Sequence, residues 1–329
     1  MKRREFIALL GSTVASSVWP VVARAQQTEM PVVGFLHSGS AGPYSSPLAA
    51  FQQGLSETGF VAGRNVAIEF RWAEDRFDRL PTLASELVQR NVSVIFAGGG
   101  DITALAAKAA TSIIPIVFAI GADPVKQGIV ASLNRPGGNI TGATFLVVEL
   151  RPKLLELIRE ILPKASTIAV LGNPNRPNFE PLLDEVLGHA RAMGLQVQVL
   201  KAGSGGEIDA AFSTAKQARV DALLILSDPV YYNRRDQLAR LEATHNIPTF
   251  NSSREQVVAG SLISYDTSME DAYRQAGVYA GRIIKGEKAS DLPVVQPTKF
   301  RLVINLITAK ALGVNIPPTV LARADEVIE

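Results

Sequence analysis

Short apolar runs alternate along this chain with stretches whose apolar residues recur every three or four positions. That is the pattern of strands alternating with helices around a parallel sheet. The runs at 32–36, 92–97, 116–120, 167–171, 197–200 and 222–226 read as strands, and the continuous apolar run Ile116 to Ile120 reads as one buried on both faces. Helical periods fall between them, over 46–58, 80–88, 102–110, 151–162, 180–193 and 233–246. In the first, Leu48, Phe51 and Leu55 share a face and Gly59 follows the end. Val66, Ile68, Phe70 and Trp72 instead alternate with Ala67, Glu69 and Arg71, a strand that buries one face and belongs at a sheet edge. After Pro163 the alternation begins again, giving two successive α/β halves of similar size. The tail predicts a strand at 261–265, a helix at 272–285 and a last strand at 301–304.

The stretch from 113 to 142 shows how such a unit ends. Its apolar run breaks at Gly121 and is followed by Asp123-Pro124, an N-cap residue with proline in the first helical position. A helix is expected from there to about 133, stopped by the Asn134-Arg135-Pro136-Gly137-Gly138 sequence. In open α/β sheets ligands sit just beyond the carboxyl ends of the strands. Those ends collect His37, Ser38, Gly100, Asp101, Asp123, Asn173, Asn175, Asp228, Asn251 and Ser252. One reading is a polar cleft between two α/β domains that hydrogen-bonds a small polar ligand. The other is local, because Asp101, Asp123 and Asp228 each stand where a helix N-cap belongs. A zwitterion would suit the first reading, its amine on an Asp and its carboxylate on free backbone N–H groups.

Composition narrows the function. At 329 residues, 47% hydrophobic and 19% charged, the chain is globular and long enough for two domains. Lys2, Arg3, Arg4 and Arg24 against Glu5 place a charge of +3 at the N-terminus, while the formal net charge is only +2. The remainder is therefore nearly neutral and lacks a nucleic-acid footprint. The twin arginine, the uncharged segment 6–23 and the small-x-small site Ala23-Arg24-Ala25 predict a twin-arginine export signal over 1–25, cleaved near Ala25. Without cysteine there is no disulfide and no thiol nucleophile. Three histidines, His37, His189 and His245, have no metal-ligand spacing, so no metal is expected. The Gly98-Gly99-Gly100 run fits neither G-x-G-x-x-G nor a P-loop, there is no G-x-S-x-G, and no serine stands beside a base. Neither a cofactor nor an enzyme follows from these residues.

Three segments carry a resemblance: the twin-arginine start, GADPVKQGIVASLNRPGGNITG at 121–142, and the tail from KGEKASDLPVV at 285 to the end. With them the chain resembles a group of ABC-transporter substrate-binding proteins of the type I periplasmic-binding fold. The resemblance implies two Rossmann-like lobes joined by three crossovers and closing on a ligand. It implies a first lobe of 26–163 plus 268–288, a second of 164–267 plus 289–329, a periplasmic location, and an inner-membrane ABC permease as partner. A monomer that binds a small molecule and no nucleic acid is the matching expectation. Relatives of this group bind amino acids, aromatic ones among them. By matching motif, Ala122-Asp123-Pro124, Gly172 to Asn175 and Ser227-Asp228-Pro229 are expected to line the cleft. Tyr231, Tyr232 and Tyr265 have two readings, an aromatic wall of the cleft or packing at the lobe surface. The sequence departs from the group after Phe250. Amino-acid binders carry an acid there that can hold the α-amino group, whereas this chain has Asn251-Ser252-Ser253, leaving room for a carboxylic acid or a neutral polar compound. A receptor that reports to a membrane kinase would share the same fold and cleft.

Overall fold

The computed structural model describes residues 30–146, 150–176 and 178–329, so the export signal expected at 1–25 lies outside the described residues. The first sheet is built from β1 (Val32–His37), β2 (Ala67–Trp72), β3 (Val94–Gly98), β4 (Ile116–Ile120) and β5 (Ile140–Thr144), all parallel, in the order β2-β1-β3-β4-β5. Helices α1 (Ser45–Glu57), α2 (Leu80–Gln89) and α3 (Asp101–Ala110) connect the first four strands. The edge position predicted for β2 is observed. Ile68 and Trp72 pack inward, while Phe70 keeps 37% of its surface exposed.

The second half follows the same plan. Helix α4 (Arg151–Ile161) precedes β6 (Thr167–Gly172), α5 (Phe179–Ala192), β7 (Gln196–Lys201), α6 (Gly205–Gln217) and β8 (Ala222–Ile225). Then come α7 (Pro229–Asn233), α8 (Arg235–His245), β9 (Thr249–Asn251), α9 (Arg254–Val258), β10 (Ile263–Asp266) and α10 (Met269–Ile284). The chain ends with β11 (Arg301–Asn305), α11 (Leu306–Leu312), α12 (Pro318–Leu321) and β12 (Glu326–Ile328). The sheet order is β12-β11-β10-β9-β8-β6-β7. Strand β11 enters antiparallel to β10, and β12, which the sequence pattern does not announce, adds in parallel to β11.

Three expectations are corrected. Residues 123–133 form successive turns and no helix, because Gly128 adopts a left-handed φ of 66° that drops Ile129 and Val130 into the core under the first sheet. Helix α4, assigned from sequence to the first lobe, belongs to the second. Its stripe of Leu154, Leu155, Ile158 and Ile161 packs with Ile168, Val170 and Leu224, since Pro163 turns the chain directly into β6. Conversely, the connection after α10 stays on the first sheet. Val295 exchanges backbone hydrogen bonds with Gly142 and Thr144 at 3.0 and 2.8 Å, and the Thr141 hydroxyl donates to the Leu292 carbonyl at 2.6 Å.

Helix α10 leaves β10 and returns to α1, burying Ala272, Tyr273, Ala276 and Ala280 against Phe51, Leu55 and Phe96. The two helices touch backbone to backbone. A Cβ on Gly54 would overlap the Arg274 carbonyl, and one on Gly277 would overlap that of Phe51. A backbone carbonyl cannot yield as a flexible side chain can. Gly277→Ala is therefore expected to cost roughly 1–3 kcal/mol by overpacking and to lower the thermal midpoint by several degrees in a calorimetric scan. An unchanged midpoint would mean that α1 and α10 have room to separate.

Candidate functional site

The carboxyl ends of both sheets face each other, and about 790 Å³ of space, open mouth included, lies between them. Tyr44, Gly99, Gly100, Gly121, Phe145, Met269 and Tyr273 line it from the first lobe and α10. From the second lobe come Arg176, Ser227, Asp228, Tyr232, Asn251, Ser252, Glu255, Gln256, Asp266 and Arg301. Gly100, Ser227, Asp228, Asn251 and Ser252 were all legible as strand-end residues. Asn173 lines a smaller pocket that adjoins the cleft through Arg176, Ser227, Asp228 and Ser252.

Asp228 settles the choice between cap and cleft by doing both. Its Oδ1 accepts from Val230 N at 2.9 Å, capping α7, and from Asn173 Nδ2 at 3.1 Å. Its Oδ2 is buried with no partner. Asn251 repeats the arrangement with opposite polarity. Oδ1 accepts from Ser253 N at 3.0 Å, which fixes the amide orientation and leaves Nδ2 a buried donor without an acceptor. Gln256 Oε1 is a third buried orphan. Buried polar atoms are normally paired, and each orphan costs about 1–3 kcal/mol. Three of these orphans lie on the wall of one cavity.

Charge sharpens this. Asp228, Glu255 and Asp266 face Arg176 and Arg301 across the lining, an excess of one negative charge. Burial pushes the Asp266 carboxyl up to about 6, although Arg301 at 3.0 Å pulls the other way. Burial likewise raises Asp228 against the pull of Arg176 and Asn173.

Other expected site residues lie elsewhere. Asp123 spends its carboxylate on Val125 N and Lys126 N at 2.8 and 3.2 Å and does not line the cleft. The Ala122 carbonyl accepts from the Thr144 hydroxyl. The side chain of Asn175 stands against Gly203. Tyr231 is fully buried in the second core with its hydroxyl on the Ala202 carbonyl, and Tyr265 stacks on Phe300 at another pocket. Neither belongs to an aromatic wall. That wall is Tyr44 against Tyr232, ring centroids 4.6 Å apart, with Tyr273 behind. His37 and Ser38 are fully buried behind Gly99, one layer back from the cleft.

Asp101 is not an N-cap at all. Gly100 holds that position, and the Asp101 carboxylate reaches across the cleft to Arg176 at 2.7 Å and to Asn178 at 2.9 Å. Asn178 also bonds Gln127 at 3.2 Å, and Asn233 donates to Asp75 in a separate contact. These contacts join the two lobes directly. Among the residues the sequence did not single out, Asp266 ends a strand as the others do and was findable by the same rule. Tyr44, Gln256 and Tyr273 lie in a loop and in helices, where nothing in the pattern sets them apart.

Residues 45–328 match the model of the family described as ABC transporter substrate binding protein. The chain belongs to this family. It is 28% identical over 266 residues, 80% of this chain and 76% of the relative, to a tyrosine-binding protein of Clostridioides difficile. At 26% identity over 91% of this chain and 99% of the other, it superposes with a TM-score of 0.81 on an ABC domain from Streptococcus pneumonia in complex with L-Trp. At the same identity and coverage, the TM-score is 0.63 against the ligand-free, open structure of a substrate binding protein with adhesive properties from Clostridium difficile. The fold of this substrate-binding protein is that of the type I periplasmic binding proteins. Among the described residues no helix is long and apolar enough to cross a membrane, and no cluster of His, Asp and Glu could hold a metal ion.

The contacts between the lobes make a prediction. Arg176→Ala leaves the Asp101 carboxylate, nearly buried, without its cation, a loss of about 3–5 kcal/mol for a buried pair. The ligand-free variant is expected to open, read as a larger radius of gyration by small-angle scattering. An unchanged profile would show that the lobes are held by something else.

Proposed function

We propose that this substrate-binding protein is an exported, monomeric receptor that captures an amino acid with an aromatic side chain and delivers it to an ABC permease. The observation that carries this reading is the set of orphaned atoms in the cleft, two acceptors on Asp228 and Gln256 beside one donor on Asn251. An α-amino group donates to the first two and a carboxylate accepts from the third. The negative excess of the lining favours a ligand that brings a positive charge, and Tyr44, Phe145, Tyr232 and Met269 supply apolar walls for a ring. The absence of an acid after Phe250 does not count against an amine, because Asp228, Glu255 and Asp266 bring carboxylates from neighbouring elements. Two relatives named for tyrosine and for L-Trp support the same class. The higher similarity to the ligand complex than to the open form supports a closed cleft, which is the shape a permease would read. The basic N-terminal segment with its twin arginine supports export to the periplasm.

Titration calorimetry with L-tyrosine and L-tryptophan tests the reading. Asp228→Asn keeps a cap for α7 but loses the charge that meets the amine. It is expected to weaken binding roughly 10-fold or more, the effect of a charge-assisted hydrogen bond. Equal affinity would return Asp228 to capping alone. Affinity should also depend on pH with a definite sign. An ammonium favours the ionised forms of Asp266 and Asp228, whose carboxyls are raised in the free protein. Binding is therefore full above pH 7 and weakens as pH falls through about 6. A flat profile between pH 5 and 8 would dissociate these acids from the ligand.

A further inference from the structure

Tyr273 stands on α10 with its phenol oxygen between two donors. Gly99 N–H donates to it at 3.1 Å, and His37 Nε2 lies 2.8 Å away. The direction of the second bond follows from the other side of the imidazole. Gly39 N–H donates to His37 Nδ1 at 2.9 Å, so Nδ1 must offer a lone pair. A neutral imidazole with Nδ1 as acceptor carries its hydrogen on Nε2 and must donate there. Burial holds the ring neutral, pulling its pKa down to about 3. A phenol has two acceptor sites and one hydrogen. Both sites are taken, and among the described residues no acceptor takes the hydrogen. Beyond Gly99 lies the cleft, which Gly99, Gly100 and Tyr273 line together.

We infer that His37 and Gly99 position Tyr273 as an obligate hydrogen-bond donor to the ligand, selecting a solute that presents a carboxylate oxygen to α10. The inference rests on the amino-acid reading and deepens it. The Asn251 amide donates from the second lobe, Tyr273 donates from the first-lobe side, and a carboxylate has two oxygens to receive both. The arrangement also accounts for the triple glycine. A Cβ on Gly98 would lie 2.8 Å from the Tyr273 hydroxyl and 2.9 Å from the His37 ring, and one on Gly99 would strike Ser38 and His37. Gly99 and Gly100 are besides held at φ of 81° and 122°, where side chains are strained. Gly98-Gly99-Gly100 thus makes room for a tyrosine and a histidine, not for phosphates.

Two measurements test it. In ligand-free protein, nitrogen NMR of the imidazoles reads the tautomer, with only three histidines to assign. His37 is expected as the neutral Nε2–H form, unchanged at pH 5, where an ordinary histidine is charged. An Nδ1–H tautomer, or titration near 6.5, would overturn the relay whatever the ligand is. In the second, Tyr273→Phe keeps the ring and removes the donor. It is expected to bind L-tyrosine and L-tryptophan roughly 10-fold more weakly than the parent, while tyramine, which has the amine and ring without the carboxylate, binds both proteins alike. Equal affinity of parent and variant for the two amino acids would sink the inference while leaving the amino-acid reading intact. If the parent bound neither amino acid, the amino-acid reading itself would fail, together with the carboxylate role derived from it.

Discussion

Two helices brought together by glycine hold this molecule in its working form. Helix α10 belongs by sequence to the second half, yet it lies on α1, where Gly54 and Gly277 let the backbones meet. That docking closes the first lobe with a segment that follows most of the second lobe in the chain. It also carries Tyr273 to the ends of β1 and β3 and sets Met269 at the rim of the cleft. Were the helices an ångström further apart, the phenol would lose His37 and Gly99 together. Packing between two apolar faces thus decides the placement of a polar group within one turn of the contact.

The cleft is a place where ordinary rules of burial are left incomplete. Carboxylates at Asp228 and Asp266 are desolvated, and their proton affinities rise accordingly. Polar atoms on Asp228, Asn251 and Gln256 lack partners that the fold could have supplied. Each such defect weakens the empty form by about a kilocalorie or more. The Asp101–Arg176 pair and the contacts through Asn178 and Asp75 oppose that cost by joining the lobes. A balance of this kind gives a ligand leverage, because only the closed form offers it both walls.

Much of this architecture was legible in the chain. Apolar runs with no alternation, such as Ile116 to Ile120, have no choice but a strand covered on both faces, and the loops that follow strands must then hold the polar residues. Asp228 and Asn251 were found that way. Asp123 and Asp101 looked the same in sequence and went to different ends, one to its own turn and one across the cleft. The pattern Asp-Pro suits a cap equally well in a helix and in the turns that Gly128 creates. Nothing local distinguishes them.

By itself the sequence determined the two α/β halves, the edge strand, the strand-end loops and the family, because these follow from hydrophobic period and local motif. Only the tertiary structure decided which lobe α4 and residues 289–295 serve and which tyrosines line the cleft. It alone showed that Arg176 bridges the lobes and that His37, fully buried, bonds the Tyr273 hydroxyl. Those facts depend on which residues distant in the chain are brought within hydrogen-bonding distance. His37 and Tyr273, 236 positions apart, share one bond of 2.8 Å that no periodicity encodes.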